Sequence, residues 1–306
     1  MMDVITSFLA SDIRTATPLV LAGMGLVFSE RSGVINIGAE GMMLMGAFVG
    51  VMTSYYTSSA LYGALAAMFA GLLIALLFAF ICITLKANQI IAGTAINILA
   101  SGFTITMNRL VFGLSTSVNI IESYKPVAIP VLSKLPVLGE SLFQQTIVGY
   151  IAFILVPISY FVMQKTKTGL RIRSVGENPK ACATLGIHVV RLRYATVMLS
   201  GLLCGLAGSF ISMGLLSAFT EDMVAGRGFI VIAAVVFGNY TPVGVMLACL
   251  LFGAASALQY RLMAINSAVP YQFWTMIPYI ITVIALCAYK TKSNQPAASG
   301  RPFEKE

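Results

Sequence analysis

Residues 60–85 read ALYGALAAMFAGLLIALLFAFICITL, 26 consecutive positions without a charged side chain. A helix needs ~20 apolar residues to cross the hydrocarbon core of a bilayer, so this stretch is long enough to span by itself. In exposed lipid an irregular chain leaves its amides unpaired, which makes helix the default. A strand of a transmembrane barrel would alternate apolar and polar positions, and this run does not. Eight further apolar segments lie outward from it, at roughly 13–28, 34–54, 90–112, 146–163, 194–216, 228–240, 243–260 and 274–289. Together they predict an all-α polytopic transmembrane bundle of about nine spanning helices, forming one domain over residues 1–306.

Composition agrees. The chain is 58% hydrophobic and 10% charged, against ~25% charged in soluble domains, so its solvent is mostly membrane lipid. The net charge is +8, but its placement argues against nucleic acid. Lys165, Lys167, Arg171, Arg173, Lys180, Arg191 and Arg193 crowd one loop, 164–193, between apolar segments. Such clustering beside spans marks the cytoplasmic side. With that loop inside, 13 of the 19 Lys and Arg fall inside, the N-terminus lies outside and the C-terminus inside. Tyr55, Tyr56, Tyr271 and Trp274 then sit near the outer interface, where such rings are favoured. Ile5, Phe8, Leu9 and Ile13 fall at helical spacing and suit a stretch along that interface. Prolines 126, 130 and 136 argue against one continuous helix in the outer loop, 113–145. The polar tail, 293–306, is expected to be disordered.

Metal and catalytic chemistry find little support. The five cysteines form no CxxC pair, and His188 is the only histidine. No metal site and no cofactor of this chain's own is expected. No GxxxxGK[ST] phosphate loop occurs, so the chain is not itself an ATPase. No paired acid and base or nucleophile and base appears in the membrane, so no catalytic residues are expected.

Two segments are unusual: GVINIGAEGMMLMGAFVG, 33–50, and GRGFIVIAAVVFGNYTPVG, 226–244. Each is interrupted by glycines, and each follows a helix with a similar start, RTATPLVLAGMGL from Arg14 and RYATVMLSGLLCGL from Arg193. Two readings stay open, an inverted repeat with the substrate path near the interruptions and chance similarity of apolar strings. Glu40 is the only acidic residue inside a span, and it shares a helix face with Asn36. It either caps backbone amides or meets substrate. Thr94, Asn97, Ser101, Thr104 and Asn108 make a polar stripe along one helix, which either packs helices or lines a wet path. Gly46, Gly50, Gly201, Gly205 and Gly208 suit close helix approach.

The loop reads TGLRIRSVGENPKACATLGIHVVRLR from Thr168. Asn178 before Pro179 is a helix start, and Gly186 a stop, so Pro179–Leu185 is expected as a short cytoplasmic helix. GENPKACATLGI resembles the cytoplasmic coupling segment of the ABC permease family that imports simple sugars, nucleosides and branched-chain amino acids. ERSGVINIGAEGMMLMGAF, 30–48, is similar to the form in nucleoside-importing members, and GRGFIVIAAVVFGNYTPVG also looks like a family hallmark. The resemblance covers roughly 13–290. The chain lacks the extra N-terminal helix of members such as the ribose permeases.

The resemblance implies a multi-pass subunit of a bacterial cytoplasmic membrane, working in an ATP-driven importer. Its implied partners are a separate ABC ATPase subunit that uses ATP, a second permease subunit of different sequence and an extracytoplasmic solute-binding protein. It implies ATPase coupling through Gly176, Glu177, Asn178, Pro179, Lys180, Ala181, Leu185, Gly186 and Ile187. Asn36, Glu40, Thr94, Asn97, Ser101 and Asn108 are the candidate path residues. Nucleoside is the first expectation for cargo, then simple sugar, then branched-chain amino acid. An ion-coupled secondary transporter is the rival class; it needs no docking face for an ATPase.

Overall fold

A computed structural model describes residues 2–113, 121–128, 142–265, 270–288 and 294–304. Helices dominate. In chain order they are α1 (Met2–Arg31), α2 (Ala39–Thr57), α3 (Ala60–Ala79, continued by a π-helical turn Phe80–Thr84) and α4 (Gln89–Phe112). Then come α5 (Ile147–Lys165), α6 (Lys167–Glu177), α7 (Pro179–Thr184) and α8 (Val189–Ser209, continued by π-helix Phe210–Leu216). The last are α9 (Arg227–Phe237), α10 (Pro242–Ile265), α11 (Tyr271–Thr275) and α12 (Ile277–Ala288). In the connection between α4 and α5, β1 (Pro126–Ala128) pairs antiparallel with β2 (Gln144–Thr146). Pro130 and Pro136 lie outside the described residues.

The layering follows from which helices can tolerate lipid. α1 is central, with Ala16, Thr17, Val20, Leu21, Ala22, Met24, Leu26 and Val27 fully buried. It packs against α5, α8, α9 and α10. Being shielded, it can carry Thr17 and Ser29 fully buried. α3, α4 and α5 are peripheral and present Leu61, Phe69, Ile91, Ile98, Ile154 and Phe161 outward. A soluble protein would not expose so large an apolar surface. The first turns of α1 are continuous with the rest of that helix, so the stretch expected along the interface is part of it.

Between helices already in lipid there is little hydrophobic drive, and association rests on close packing and hydrogen bonds. A Cβ on Gly46 would fall inside the backbone of Gly205, and one on Gly205 inside that of Ala67. α2, α3 and α8 therefore meet backbone to backbone, as the glycine positions predict.

The expectation of about nine spans holds only in part. Among the described residues five helices are long and apolar enough to cross: Ala60–Thr84, Gln89–Phe112, Ile147–Lys165, Val189–Leu216 and Pro242–Ala264. The span expected over 228–240 is too short. α9 has 11 residues, which at ~1.5 Å per residue covers about half of a ~30 Å hydrocarbon core. The chain reaches it through the non-helical segment 217–226.

The tail also departs from expectation, since 294–304 is docked rather than loose. Gly300 N donates to Gly33 O at 3.1 Å and Ala298 N to Gly176 O at 2.9 Å. Asn294 N donates to Asn239 Oδ1 at 2.7 Å. Three groups assigned to the inner side, the tail, the 164–193 loop and the end of α1, thus gather at one end of the bundle. At the other end, Ser54 donates to Glu122 O and Arg109 pairs with Glu221.

Candidate functional site

Between α1 and α2 the chain runs non-helical over 34–36, with turns on either side. Two of its polar groups are met by side chains of neighbouring helices. Ile35 N donates to Gln89 Oε1 at 2.8 Å, and Asn36 Nδ2 donates to Ser200 Oγ at 3.0 Å. Asn97 of α4 serves both sides of the break, donating from Nδ2 to Ile37 O at 3.0 Å and accepting from Gly41 N at 2.9 Å. The first amides of a helix have no partner within it, and Gly38, the N-cap of α2, brings no side chain. Asn97 supplies one cap from another helix.

Glu40, in the first turn of α2, reaches the start of α9. Its Oε1 accepts from Gly226 N at 2.8 Å and its Oε2 from Gly228 N at 2.6 Å. α9 likewise has a glycine N-cap, Gly226, with φ near +80° and no side-chain cap. One carboxylate therefore sits at two helix N-termini, where macrodipoles favour negative charge. A Cβ on Gly228 would lie 2.6 Å from the backbone N and Cα of Glu40, so the approach requires glycine. From this junction α2 runs toward the end bearing Glu122, and α9 toward the end where Arg31 meets Tyr240.

A second set of contacts ties α4 to the segment entering α9. Ser101 Oγ donates to Asp222 Oδ1 at 2.7 Å, and Arg109 donates through Nε and Nη2 to Glu221 at 3.0 and 3.2 Å. The guanidinium beside it holds the Glu221 carboxyl below the usual carboxylate range. Asp222 and Ala225 have φ of 51° and 50°, in the left-handed region that non-glycine residues rarely occupy.

Asn36, Glu40 and Asn97 are thus brought together, with Ser101 adjoining through Asp222. Both Glu40 carboxylate oxygens accept from backbone amides. Thr94 returns its hydroxyl to Ile90 O of its own helix, and Thr104 likewise bonds Ala100 O. Asn108 is half-buried three turns beyond Asn97 on α4 and joins none of these bonds. Asn36 Oδ1 is buried without a hydrogen-bond partner among the described residues. The sequence reading missed Gly226 and Gly228 as the partners of Glu40. The signal lay in GRG at 226–228, two glycines spaced to offer adjacent amides.

The 164–193 loop folds as α6 and α7. Asn178 caps α7, accepting from Ala181 N at 3.1 Å, with Pro179 in the first turn. Gly186 follows at φ near +80°. Glu177, Asn178, Lys180, Ala181, Leu185 and Gly186 are exposed, and Pro179 and Ile187 half-buried. Leu185 is 80% exposed, an apolar side chain offered to solvent. Gly176 does not join this surface; it is buried against Arg31 O. Cys182 faces inward with Val175 and Val189, and burial raises its thiol pKa. Among the described residues no group of three His, Cys, Asp or Glu could hold a metal ion.

Comparison with known proteins gives a family match and three relatives. Residues 8–286 match the model of the family described as branched-chain amino acid transport system / permease component. The chain is 41% identical over 299 residues to the guanosine ABC transporter permease protein NupQ of Bacillus subtilis (strain 168), covering 95% of this chain and 94% of that one. It is 38% identical over 299 residues to the nucleoside ABC transporter permease protein NupC of Lactococcus lactis subsp. cremoris (strain MG1363), covering 93% and 92%. To a second Bacillus subtilis protein, the guanosine ABC transporter permease protein NupP, it is 27% identical over 293 residues, covering 92% and 82%.

Proposed function

Because the chain belongs to the branched-chain amino acid transport system / permease component family, we propose that it is the membrane-spanning subunit of an ATP-driven importer of nucleosides. The observation that carries the cargo is the likeness to NupQ and NupC over more than nine-tenths of the chain. ATP is used by a separate ABC ATPase subunit, since this sequence has no phosphate loop of its own. A solute-binding protein delivers the nucleoside from outside a bacterial cytoplasmic membrane. The second permease subunit is a different chain: two Bacillus subtilis proteins carry the guanosine permease name, and this chain is much nearer to one than to the other.

Transport proceeds by alternating access around the Glu40 junction. α1, a break and α2 form one unit; α8, a break and α9 form another; their interrupted helices start at the same carboxylate and diverge. That suits an inverted repeat, in which broken helices meet near mid-membrane, and supports a reading of nine segments that cross or enter the bilayer. The surface Glu177–Ile187, led by exposed Leu185, receives the ATPase subunit. α4 packs mainly on α2 and α3 and leaves Ile91, Thr94 and Ile98 uncovered. That face looks onto the path and the second permease. Asn36, Asn97 and Ser101 supply the few fixed polar groups of an otherwise apolar conduit.

The test is uptake by the reconstituted complex with labelled guanosine, glucose and leucine. Guanosine uptake that requires ATP hydrolysis is the expected result. Uptake of glucose or leucine in its place refutes the cargo. Uptake driven by an ion gradient without ATP refutes the class.

A further inference from the structure

The polar C-terminal segment, NQPAASGRPFE from Asn294, is held by two arginines buried at the inner end of the bundle. Arg193, 1% exposed, donates through Nε to Ser32 O at 3.2 Å and through Nη1 to Arg301 O at 3.0 Å. Arg31, 9% exposed, donates through Nε to Tyr240 O at 2.8 Å and through Nη1 to Asn294 O at 3.2 Å. A guanidinium is costly to remove from water unless its donors find acceptors; the tail's carbonyls at Arg301 and Asn294 supply one to each arginine, while Arg193 Nη2 has no partner among the described residues. Two ends are pinned, and the middle is bonded as well. Ala297 N donates to Glu177 Oε2 at 3.3 Å, Ala298 N to Gly176 O and Gly300 N to Gly33 O. Phe303 packs against Val175, Cys182 and Val189.

These eleven residues thereby join segments that are far apart in sequence: α6, the α7–α8 connection, the α9–α10 turn and the link from α1 to α2. Gly33 lies three residues before Asn36, at the head of the break that ends in the Glu40 junction. A solvated tail would have no reason to offer a carbonyl to each of two buried arginines, nor to turn at Gly300 with φ near +73°.

We infer that residues 294–304 are a positioning strap that makes the coupling helices α6 and α7 move as one body with the α1–α2 link, so that displacement at the ATPase-facing surface reaches the Glu40 junction. This rests on the coupling reading given above. Apart from the strap, α6 meets the bundle through Gly176 against Arg31, Gly169 against the backbone of Met163 and Ile172 in the main core; the strap adds the direct bonds from Gly176 and Glu177 to the segment that also holds Gly33.

The experiment uses the full complex of ATPase subunit, both permeases and binding protein, reconstituted in vesicles. Three variants are compared: deletion of 294–306, Gly300→Val and Arg193→Lys. The valine strains the strap's own turn at positive φ, while lysine keeps the charge but not the fork that spans two carbonyls. The expected result is an assembled complex that still hydrolyses ATP but takes up about fivefold less guanosine per ATP, the scale of one net hydrogen bond. Arg193→Lys should fall between the valine variant and wild type. Labelling of Cys182 by a maleimide should rise on deletion, because Phe303 no longer covers it. Unchanged uptake per ATP in assembled Gly300→Val complexes overturns the strap. Should the deletion prevent assembly, the valine and lysine variants decide alone. Leu185→Asp reports on the docking reading separately: retention of the ATPase subunit by that variant overturns docking, whereas its loss, with unchanged uptake per ATP in Gly300→Val, overturns the strap only.

Discussion

Gly228→Ala is the sharpest perturbation of the junction. The added Cβ would stand 2.6 Å from the N and Cα of Glu40 and 2.7 Å from its Oε2. Ordinary carbon contacts begin near ~3.5 Å, and two of the three obstructing atoms are backbone, so the start of α9 must withdraw by roughly 1 Å. That withdrawal stretches the 2.6 Å bond from Gly228 N to the carboxylate. Overpacking costs about 1–3 kcal/mol, and a hydrogen bond to a charged group is worth about 1.5–3 kcal/mol. Against these, alanine gains at most ~1 kcal/mol of helix propensity. The net expectation is a loss of about 2–4 kcal/mol. Gly102→Ala is the matched control: nothing lies within 4 Å of a Cβ there, and helix propensity alone makes it neutral or slightly stabilising. The assay is unfolding of the isolated chain in mixed micelles, followed by uptake normalised to assembled complex. Equal stability of the two variants would refute the reasoning, because it would mean that α9 does not approach Glu40 through Gly228.

Other outcomes follow from the same geometry. Glu40→Gln places an amide NH2 against one of two backbone donors, so stability should fall by about 1–3 kcal/mol and uptake with it; wild-type stability in the same micelle titration would contradict the capping role. Asn97→Leu leaves Ile37 O and Gly41 N without partners and should lower both chain stability and uptake per complex, while Ser101→Ala, losing one bond to exposed Asp222, should do less; the reverse order in uptake assays counts against the junction. The Glu221 carboxyl is depressed in the fold by the Arg109 hydrogen bond, so the contribution of this pair is present above the ordinary carboxylate value of ~4.3 and lost only as pH falls through the lower folded value. An NMR titration should place Glu221 below that value and Arg109→Gln should raise it; no difference between the two proteins negates the contact. For sidedness, a cysteine at Ala181 should react with impermeant reagents only from the cytoplasmic face and one at Val127 only from the outside; the opposite pattern inverts the topology.

The sequence by itself determined the class of solvent and the class of element. Twenty-six uncharged residues at 60–85 leave no other partner than lipid and no other backbone solution than helix. It also determined the local chemistry of the 164–193 loop, because an N-cap at Asn178, a proline in the first turn and a glycine stop act within a few residues of one another. The close-packing glycines were legible for the same reason: a missing side chain is a local fact with one main structural use in a membrane bundle.

What the tertiary structure decided was partnership. Glu40 was visible as the odd charge in a span, but its partners are 186 and 188 residues away, and no periodicity encodes them. The same holds for Asn97, whose place in a polar stripe on α4 is local, while its capping of α2 depends on where α2 begins. The short α9 reads as a span because apolar composition does not record that the preceding chain has already entered the bundle. The tail reads as loose because its own residues are small and polar. Its order comes from Arg31 and Arg193, buried charges on other helices whose unfilled hydrogen bonds only the folded chain brings within its reach.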